Sequence, residues 1–404
     1  MSDAYKNAGV NLVLGDELSE ALYTGAVETW PNRDGSFGEL VSAQRSFSGM
    51  RALAVRSLLD VPNPEGLMLH MGDDGIGTKV EIAGRVRDHS TMAFDLLAMV
   101  CDDAAIKGFE PAAVTTTFDV RKLHESMRPD IEDLVRGYVA AAKAANVAIV
   151  NGEVAELGPL VGGYDGPGGL KGVVQLALNA LMRREPVERL RYNWSATVIA
   201  AGHEQRLLDG SQVTPGDSLV AFREHGLRSN GLSLVRKVLR EAYGREWHNT
   251  PHDGSTLGRM VLKPSIIYSQ VLVDAIGGYD LRRQPRAEVH GAAHITGGGI
   301  PGKLGRLLKA TGFGADIEAP FAPPEIMDLV QRAGNVPDEE IYRILNMGNG
   351  MIVATPDPSR MIELVGEHGM EAKVIGTVTK ETSNITIKSA GVMTPGVKLV
   401  YAAA

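Results

Sequence analysis

At 404 residues the chain is longer than one typical hydrophobic core sustains, so two domains are expected. With 44% hydrophobic and 22% charged residues it is an ordinary globular chain, and a net charge of −8 excludes the basic face that a nucleic-acid partner needs. One cysteine, Cys101, excludes an intramolecular disulfide, no stretch approaches the roughly 20 apolar residues of a membrane span, and Met1–Lys6 has no signal-peptide core. A cytoplasmic protein with no membrane partner is the expectation.

In chain order, the apolar run Leu67–Met71 leads into Gly72-Asp73-Asp74-Gly75-Ile76-Gly77-Thr78-Lys79. Glycines let a backbone turn sharply and approach a ligand. Adjacent carboxylates repel bare phosphate but accept it through a divalent cation, which prefers oxygen ligands. The segment nearly matches the phosphate loop G-x-x-x-x-G-K-[ST], with Thr78 and Lys79 transposed. It reads as a Mg-nucleotide site; a glycine-rich strand-to-loop turn with solvated acids is the alternative.

Residues 91–107 read as a helix ending at Gly108, with Asp95 and Asp102 two turns apart on one face. Ala112–Phe118 reads as a strand, 128–146 as an amphipathic helix and Ala148–Val150 as a strand ending at Asn151-Gly152-Glu153. The apolar run 171–182 has β character, and a domain boundary is placed within Arg183–Asn193, giving domains 1–185 and 186–404. Beyond it, helices are expected at 231–242 and 263–276, then a strand into His294 and a helix opened by Gly297-Gly298-Gly299 and running to Lys309. Helical signals at 324–333 and 338–345 precede a strand at Met351–Thr355, a helix near 359–368 and strands near 372–378 and 384–388. The tail Val400–Ala404 is expected to fray. Alternation of strands and helices argues for an α/β class.

Eight segments, in order, resemble one family, the phosphoribosylformylglycinamidine cyclo-ligases or aminoimidazole ribonucleotide synthetases. They are Tyr5–Val10, Asp74–Lys79, Phe94–Met99 with Asp103 and Gly108–Pro111, Gly152–Glu156, Ser229–Arg236, Leu262–Tyr268, Ala293–Gly299, and Gly334–Val336 with Tyr342–Gly348. The resemblance spans roughly 5–390. The chain departs from it at Asp73 (usually Thr or Ser), Asp102 (usually Asn), Val154 (usually Thr) and Asn349, and has extra residues near 156–170 and 186–210.

The resemblance implies an α/β (α+β) fold of two domains. The N-terminal domain binds ATP and its strands form a barrel across a homodimer; the C-terminal domain is α/β. The implied reaction is ATP-dependent closure of an imidazole ring on formylglycinamidine ribonucleotide, a step of purine biosynthesis. Such phosphoryl transfer rests on positioning and charge neutralisation, so the site should be rich in carboxylates and glycines. Asp74, Asp95 and His294 are the expected catalytic residues. Lys6, Gly75, Gly77, Thr78, Lys79, Asp103 and Glu153 are expected to bind ATP. Ser229, Asn230, Thr296, Gly297 and Gly298 would bind the second substrate, whose ribose 5-phosphate suits the helix start after Thr296. Asp74, Asp95, Asp102 and Glu153 would hold Mg2+, and K+ is a candidate monovalent ion.

For Asp95 and Asp102 the alternative is a solvated helix face, for Lys79 a surface lysine and for Ser229-Asn230-Gly231 ordinary helix capping; Cys101, mid-helix, is expected to be a buried inert thiol. Selenophosphate synthetases would carry a reactive N-terminal cysteine or selenocysteine, and hydrogenase-maturation dehydratases a C-terminal cysteine; neither is present. Thiamine-monophosphate kinases lack the Ala293–Gly299 and Ser229–Arg236 patterns, and the large amidotransferase relative is far longer. A member using another acceptor, or a non-catalytic nucleotide-binding scaffold, is the remaining rival.

Overall fold

The computed structural model describes residues 12–42, 49–161, 188–380 and 383–402. Lys6, the Tyr5–Val10 segment and the apolar run 171–182 lie outside the described residues.

The first unit opens with helix α1 (Leu12–Val27) and a short hairpin of β1 (Leu40–Ser42) and β2 (Arg51–Leu53). Strand β3 (Leu67–Gly75) leads to α2 (Lys79–Val86) and α3 (Met92–Ala105). Strand β4 (Glu110–Val120), α4 (Arg128–Ala145), β5 (Ala148–Glu156) and β6 (Tyr192–His203) follow. The sheet order is β3-β6-β4-β5, with β6 antiparallel to both neighbours and β4 parallel to β5. β6 lies beyond the expected boundary at 183–193 yet pairs along its length inside this sheet. Among the described residues the sheet is open, with β3 and β5 at its edges.

The second unit contains β7 (Ser218–Arg223), α5 (Leu232–Tyr243), the small pair β8 (Pro251–His252) and β9 (Ser255–Thr256), and α6 (Ser269–Ile276). Then come β10 (Gly291–His294), α7 (Gly299–Leu308), β11 (Gly314–Ile317), α8 (Glu325–Gly334) and α9 (Asp338–Ile344). β12 (Asn349–Thr355), α10 (Pro358–Glu367), β13 (Ala372–Thr379), β14 (Ile385–Lys388) and β15 (Lys398–Tyr401) complete it. Its sheet runs β10-β12-β7-β13-β11-β14-β15, antiparallel except between β11 and β14.

Helix α3 is the hinge pin of the architecture. Apolar around nearly its whole circumference, it must be covered on all sides. Leu96, Leu97, Val100 and Cys101 are buried, in one apolar cluster that continues through Leu262 to Ile300 and Ile352. Cys101 is the inert thiol expected: burial pushes its pKa well up.

Three expectations need correction. Asp73 and Asp74 stand on β3 rather than in a turn, opposite Thr197 and Ala196 of β6. The helix expected at 263–276 begins only at Ser269: Pro264 restrains Lys263 away from helical geometry, and the segment after it is spent on the seam, with Ser265 Oγ on Asp95, Ile266 O on Arg228 and Tyr268 N on Asp102. The tail is not frayed through Tyr401: residues 398–401 pair with β14, and Tyr401 is buried. Alternation of Leu399 and Tyr401 toward one face supplies the burial that holds the strand. Asn349, a departure from the family pattern, sits at a bulge between β12 and β7; its amide donates to Met347 O at 2.7 Å and accepts from Phe321 N at 3.1 Å.

Candidate active site

The acids of α3 point across the seam between the two units. Asp95 is fully buried beside Lys79, whose ammonium donates to Asp95 Oδ1 (2.9 Å), Leu227 O (2.8 Å) and Lys263 O (2.7 Å). Those three bonds use every hydrogen of the ammonium. Ser265 Oγ donates to the same carboxylate at 2.5 Å. Burial raises the Asp95 pKa against the pull of Lys79 and Ser265. In this arrangement the protein's own acceptors take all three Lys79 hydrogens, and Asp95 is buried rather than part of a solvated face. It is half of a buried ion pair inside the first unit, which Lys79 and Ser265 tie to the second.

One turn before the C-terminus of α3, Asp102 meets Arg228. The guanidinium, 2% exposed, donates through Nη1 to Glu224 Oε2 (2.8 Å) and Ile266 O (2.9 Å). Nη2 donates to Asp102 Oδ2 (2.9 Å) and to His294 Nε2 (2.6 Å). Asp102 Oδ1 accepts from Tyr268 N at 2.8 Å. Burial pushes Asp102 up to about 7 despite Arg228, and two acids on one guanidinium hold the arginine above its usual range. Asp102 is thus bound on both oxygens by the protein itself, Arg228 on one and Tyr268 N on the other.

Because an arginine only donates, His294 Nε2 must accept, which places the ring proton on Nδ1. That Nδ1–H faces Asp103 Oδ1 at 2.6 Å. Burial, then the Arg228 charge, lowers the His294 pKa to about 4, so the ring is neutral at pH 7. Burial works to raise Asp103, but the His294 hydrogen bond and the charges of Lys303 and Lys107 outweigh it and leave the carboxyl below its ordinary range. Its side chain remains 37% exposed, the one acid of α3 that reaches solvent while held by a buried partner.

Asp74 approaches the same place from β3. Burial first, and the charges of Asp103 and Asp73, raise its pKa; Gly75 N donates to its Oδ1 at 2.7 Å. Lys303, half-buried on the first turns of α7, lies within electrostatic reach of both Asp74 and Asp103 and is lowered mainly by burial. Three backbone loops close on this cluster. Gly77 takes φ +70°, and a Cβ there would stand 3.1 Å from Ser229 O, so residues 75–78 and 228–231 touch through bare backbone. Gly297 lies against the Asn230 amide, and Gly299 admits no side chain because a Cβ would sit 1.8 Å from Tyr342 O. Ser229 and Asn230 do not cap α5, whose N-cap is Gly231 with no side-chain bond. Ser229 Oγ and Asn230 Oδ1 are instead buried without a hydrogen-bond partner, the usual mark of groups awaiting a ligand or water.

Asp74, Asp103, His294, Ser229, Asn230 and Thr296–Gly298 thus converge, with Gly75, Gly77 and Thr78 at the edge. Glu153 does not join them. It is exposed on β5, and three strand spacings of about 4.8 Å separate β5 from β3 across the sheet. Among the described residues no group of three or more His, Cys, Asp or Glu forms a metal cluster. Sequence reasoning missed Glu224, Arg228, Ser265 and Lys303. Arg228 stands directly before Ser229-Asn230-Gly231, and Lys303 one turn after Gly299, so adjacency to a motif was the available signal.

His294 makes stability pH-dependent with a definite sign. The folded chain keeps the ring neutral down to about pH 4, while the unfolded ring protonates near 6.5. The unfolded state binds the extra proton in that window, so this contribution is present above pH 6.5 and lost as pH falls through 4. His294→Asn should therefore lose about 3 kcal/mol less than the wild type on acidification from pH 7 to pH 4. Urea midpoints at pH 4.5, 5.5 and 7 measure it; parallel pH curves for the two proteins would refute the neutral, buried ring.

Residues 54–168 match the family model of the AIR synthase related protein N-terminal domain, and 214–388 that of the C-terminal domain. The phosphoribosylformylglycinamidine cyclo-ligase of Anaeromyxobacter sp. (strain Fw109-5) is 31% identical over 392 residues, covering 96% of this chain and 98% of its own. That of Nitrosococcus oceani is 30% identical over 386 residues, covering 94% and 93%. Among solved structures, E. coli HypE aligns with a TM-score of 0.57 at 14% identity over 96% of this chain and 97% of its own. The hydrogenase maturation protein HypE in complex with ATP aligns with a TM-score of 0.51 at 14% identity, over 83% and 85%. Likeness at that identity shows a shared fold. With both domain models matched in order and relatives about 30% identical along nearly the full length, this chain belongs to the AIR synthase family, together with these phosphoribosylformylglycinamidine cyclo-ligases.

Proposed function

We propose that the protein converts formylglycinamidine ribonucleotide to aminoimidazole ribonucleotide, with ATP becoming ADP and phosphate. The amide oxygen to be expelled is a poor leaving group. Transfer of the γ-phosphoryl group onto it gives an iminophosphate; the substrate's own amine attacks that carbon, and phosphate leaves with the oxygen. No nucleophilic side chain is required, which agrees with the buried, unreactive Cys101.

The observation that carries this reading is the pair Asp74 and Asp103, in which the charge of Asp103 adds to the burial that makes Asp74 costly to ionise, opposite Lys303 and beside the partnerless Ser229 and Asn230. An all-oxygen pair of this kind fits a hard divalent ion. Mg2+ bound there supplies neutralisation of charge on the triphosphate. Lys303 adds a point charge for phosphate, and Asp103 is kept ionised and oriented by neutral His294. Ser229, Asn230 and Thr296–Gly298 face the reacting end of the second substrate.

The same reading draws the division between units after His203 and gives the protein a second copy of itself as partner. Leu69 and Met71, on one face of edge strand β3, are 62% and 69% exposed, an apolar face that pairing of strands between two copies would cover. Glu153, on the opposite edge, would then complete a nucleotide site from across that interface. Among the described residues no helix is long and apolar enough to cross a membrane, and the cytoplasm, where ATP and purine precursors meet, is the proposed location.

The test is direct. With Mg-ATP and formylglycinamidine ribonucleotide, ADP and the aminoimidazole product should appear in equal amounts, and ADP should not form without the acceptor. ATP binding without turnover would leave a scaffold, and turnover with another acceptor only would reassign the substrate.

A further inference from the structure

A second anion seat lies beside this site. A cleft of about 850 Å³ runs from Gly77 and Thr78 along α2 and α5 to Arg245. Its walls carry Arg85, Arg189, Arg191, Arg236 and Arg245 against three glutamates, in a protein whose net charge is −8. Glu81 is taken up by Arg85 Nε at 2.5 Å and Arg236 Nη1 at 3.5 Å, and Glu246 faces His248 at 3.4 Å. Arg189, Arg191 and Arg245 are exposed and have no ion pair among the described residues. Lys237 and Arg240 extend the positive wall along the outer face of α5.

Unpaired like charges crowded into a concavity repel one another, and a low-dielectric wall focuses their field on whatever enters. Guanidinium groups, planar and forked, match phosphate oxygens better than any other side chain. At its inner end the cleft reaches Thr78, the N-cap of α2, whose side chain makes no cap bond, and Gly77, which abuts Ser229. The cleft therefore opens onto the acid cluster by way of the loop that both share.

We infer that this cleft seats the sugar-phosphate end of the ribonucleotide substrate, a dianionic phosphate monoester held by Arg189, Arg191 and Arg245. The inference rests on the proposed reaction for the identity of that substrate. A reaction joining two phosphate-bearing molecules needs two anion seats of different character. The start of α7, where a ribose phosphate was expected, is flanked by Asp74 and Asp103 and suits a triphosphate that brings its own cation. The arginine cleft has excess positive charge and suits a phosphate that brings none.

The experiment uses ribose 5-phosphate as probe, followed by 31P NMR titration in the absence of ATP. Wild type should bind it, with ribose failing to compete. Arg189→Glu/Arg191→Glu/Arg245→Glu should bind at least tenfold more weakly, while Lys309→Glu/Arg332→Glu, an equal-sign charge change elsewhere, should match wild type. In turnover the triple variant should raise KM for the ribonucleotide by the same factor and leave KM for ATP within twofold. Probe binding lost in the triple variant from a protein with no cyclo-ligase turnover would keep the cleft and discard the reaction. No probe binding by wild type, equal binding by the triple variant, or equal loss in the control variant would overturn the cleft.

Discussion

Arg228→Met should destabilise the fold by about 3–5 kcal/mol, the usual result of stranding buried charge. Removal of the guanidinium leaves Asp102 and Glu224, both fully buried, without their shared counter-charge, and His294 Nε2 without its donor. The cost comes from what remains rather than from what is lost. Accordingly, Arg228→Met/Asp102→Asn/Glu224→Gln, in which no charge is left behind, should recover at least half of it. Urea unfolding of the two variants gives the comparison directly. A single variant within 1 kcal/mol of wild type, or a triple variant less stable than the single one, would mean that the network is not what holds this part of the seam. Asp102 thereby has a structural role as the second acid on Arg228, beside Glu224.

Asp103→Asn should lower turnover with Mg-ATP by about 100-fold, the scale of removing one preorganised electrostatic group, while the urea midpoint moves little. Its partly exposed carboxylate has one buried tether, His294 Nδ1, and an amide can keep that contact through its oxygen. Asp95→Asn should behave in the opposite manner. That carboxylate is entirely enclosed by Lys79 and Ser265, so its loss should lower stability and leave turnover per folded molecule close to wild type. Measuring both quantities on both variants separates the roles. A catalytic defect in the Asp95 variant with an unchanged midpoint, or near-normal turnover in the Asp103 variant, would invert the assignment.

Much of this was legible in the chain itself. The α3 helix, β4, α4 and the alternation through β12 and α10 follow from pattern, since α4 and α10 each bury one apolar face while α3 and β12 are apolar runs buried on every side. Asp74, Asp103, His294 and the Ser229 and Thr296 loops were marked by motifs. What could not be read was which acids are spoken for. Asp95, Asp102 and Asp103 share one helix, and only the positions of Lys79 and Arg228, 16 and 126 residues away, decide that two are buried against a cation while the third still reaches solvent. Strand β6 was hidden behind the boundary because its partners β3 and β4 are remote in sequence. The closing strand β15 was hidden because a short segment at a chain end is judged by neighbours it does not yet have.

The Lys79 ammonium also limits how the molecule can move. It is anchored to an acid on one unit and to two carbonyls, of Leu227 and Lys263, on the other. Swinging the units apart would strip a cation of most of its partners inside an apolar seam, a far larger penalty than thermal motion supplies. Access to the reaction chamber therefore falls to its small loops and to traffic along its rim, not to a clamshell motion of the two halves.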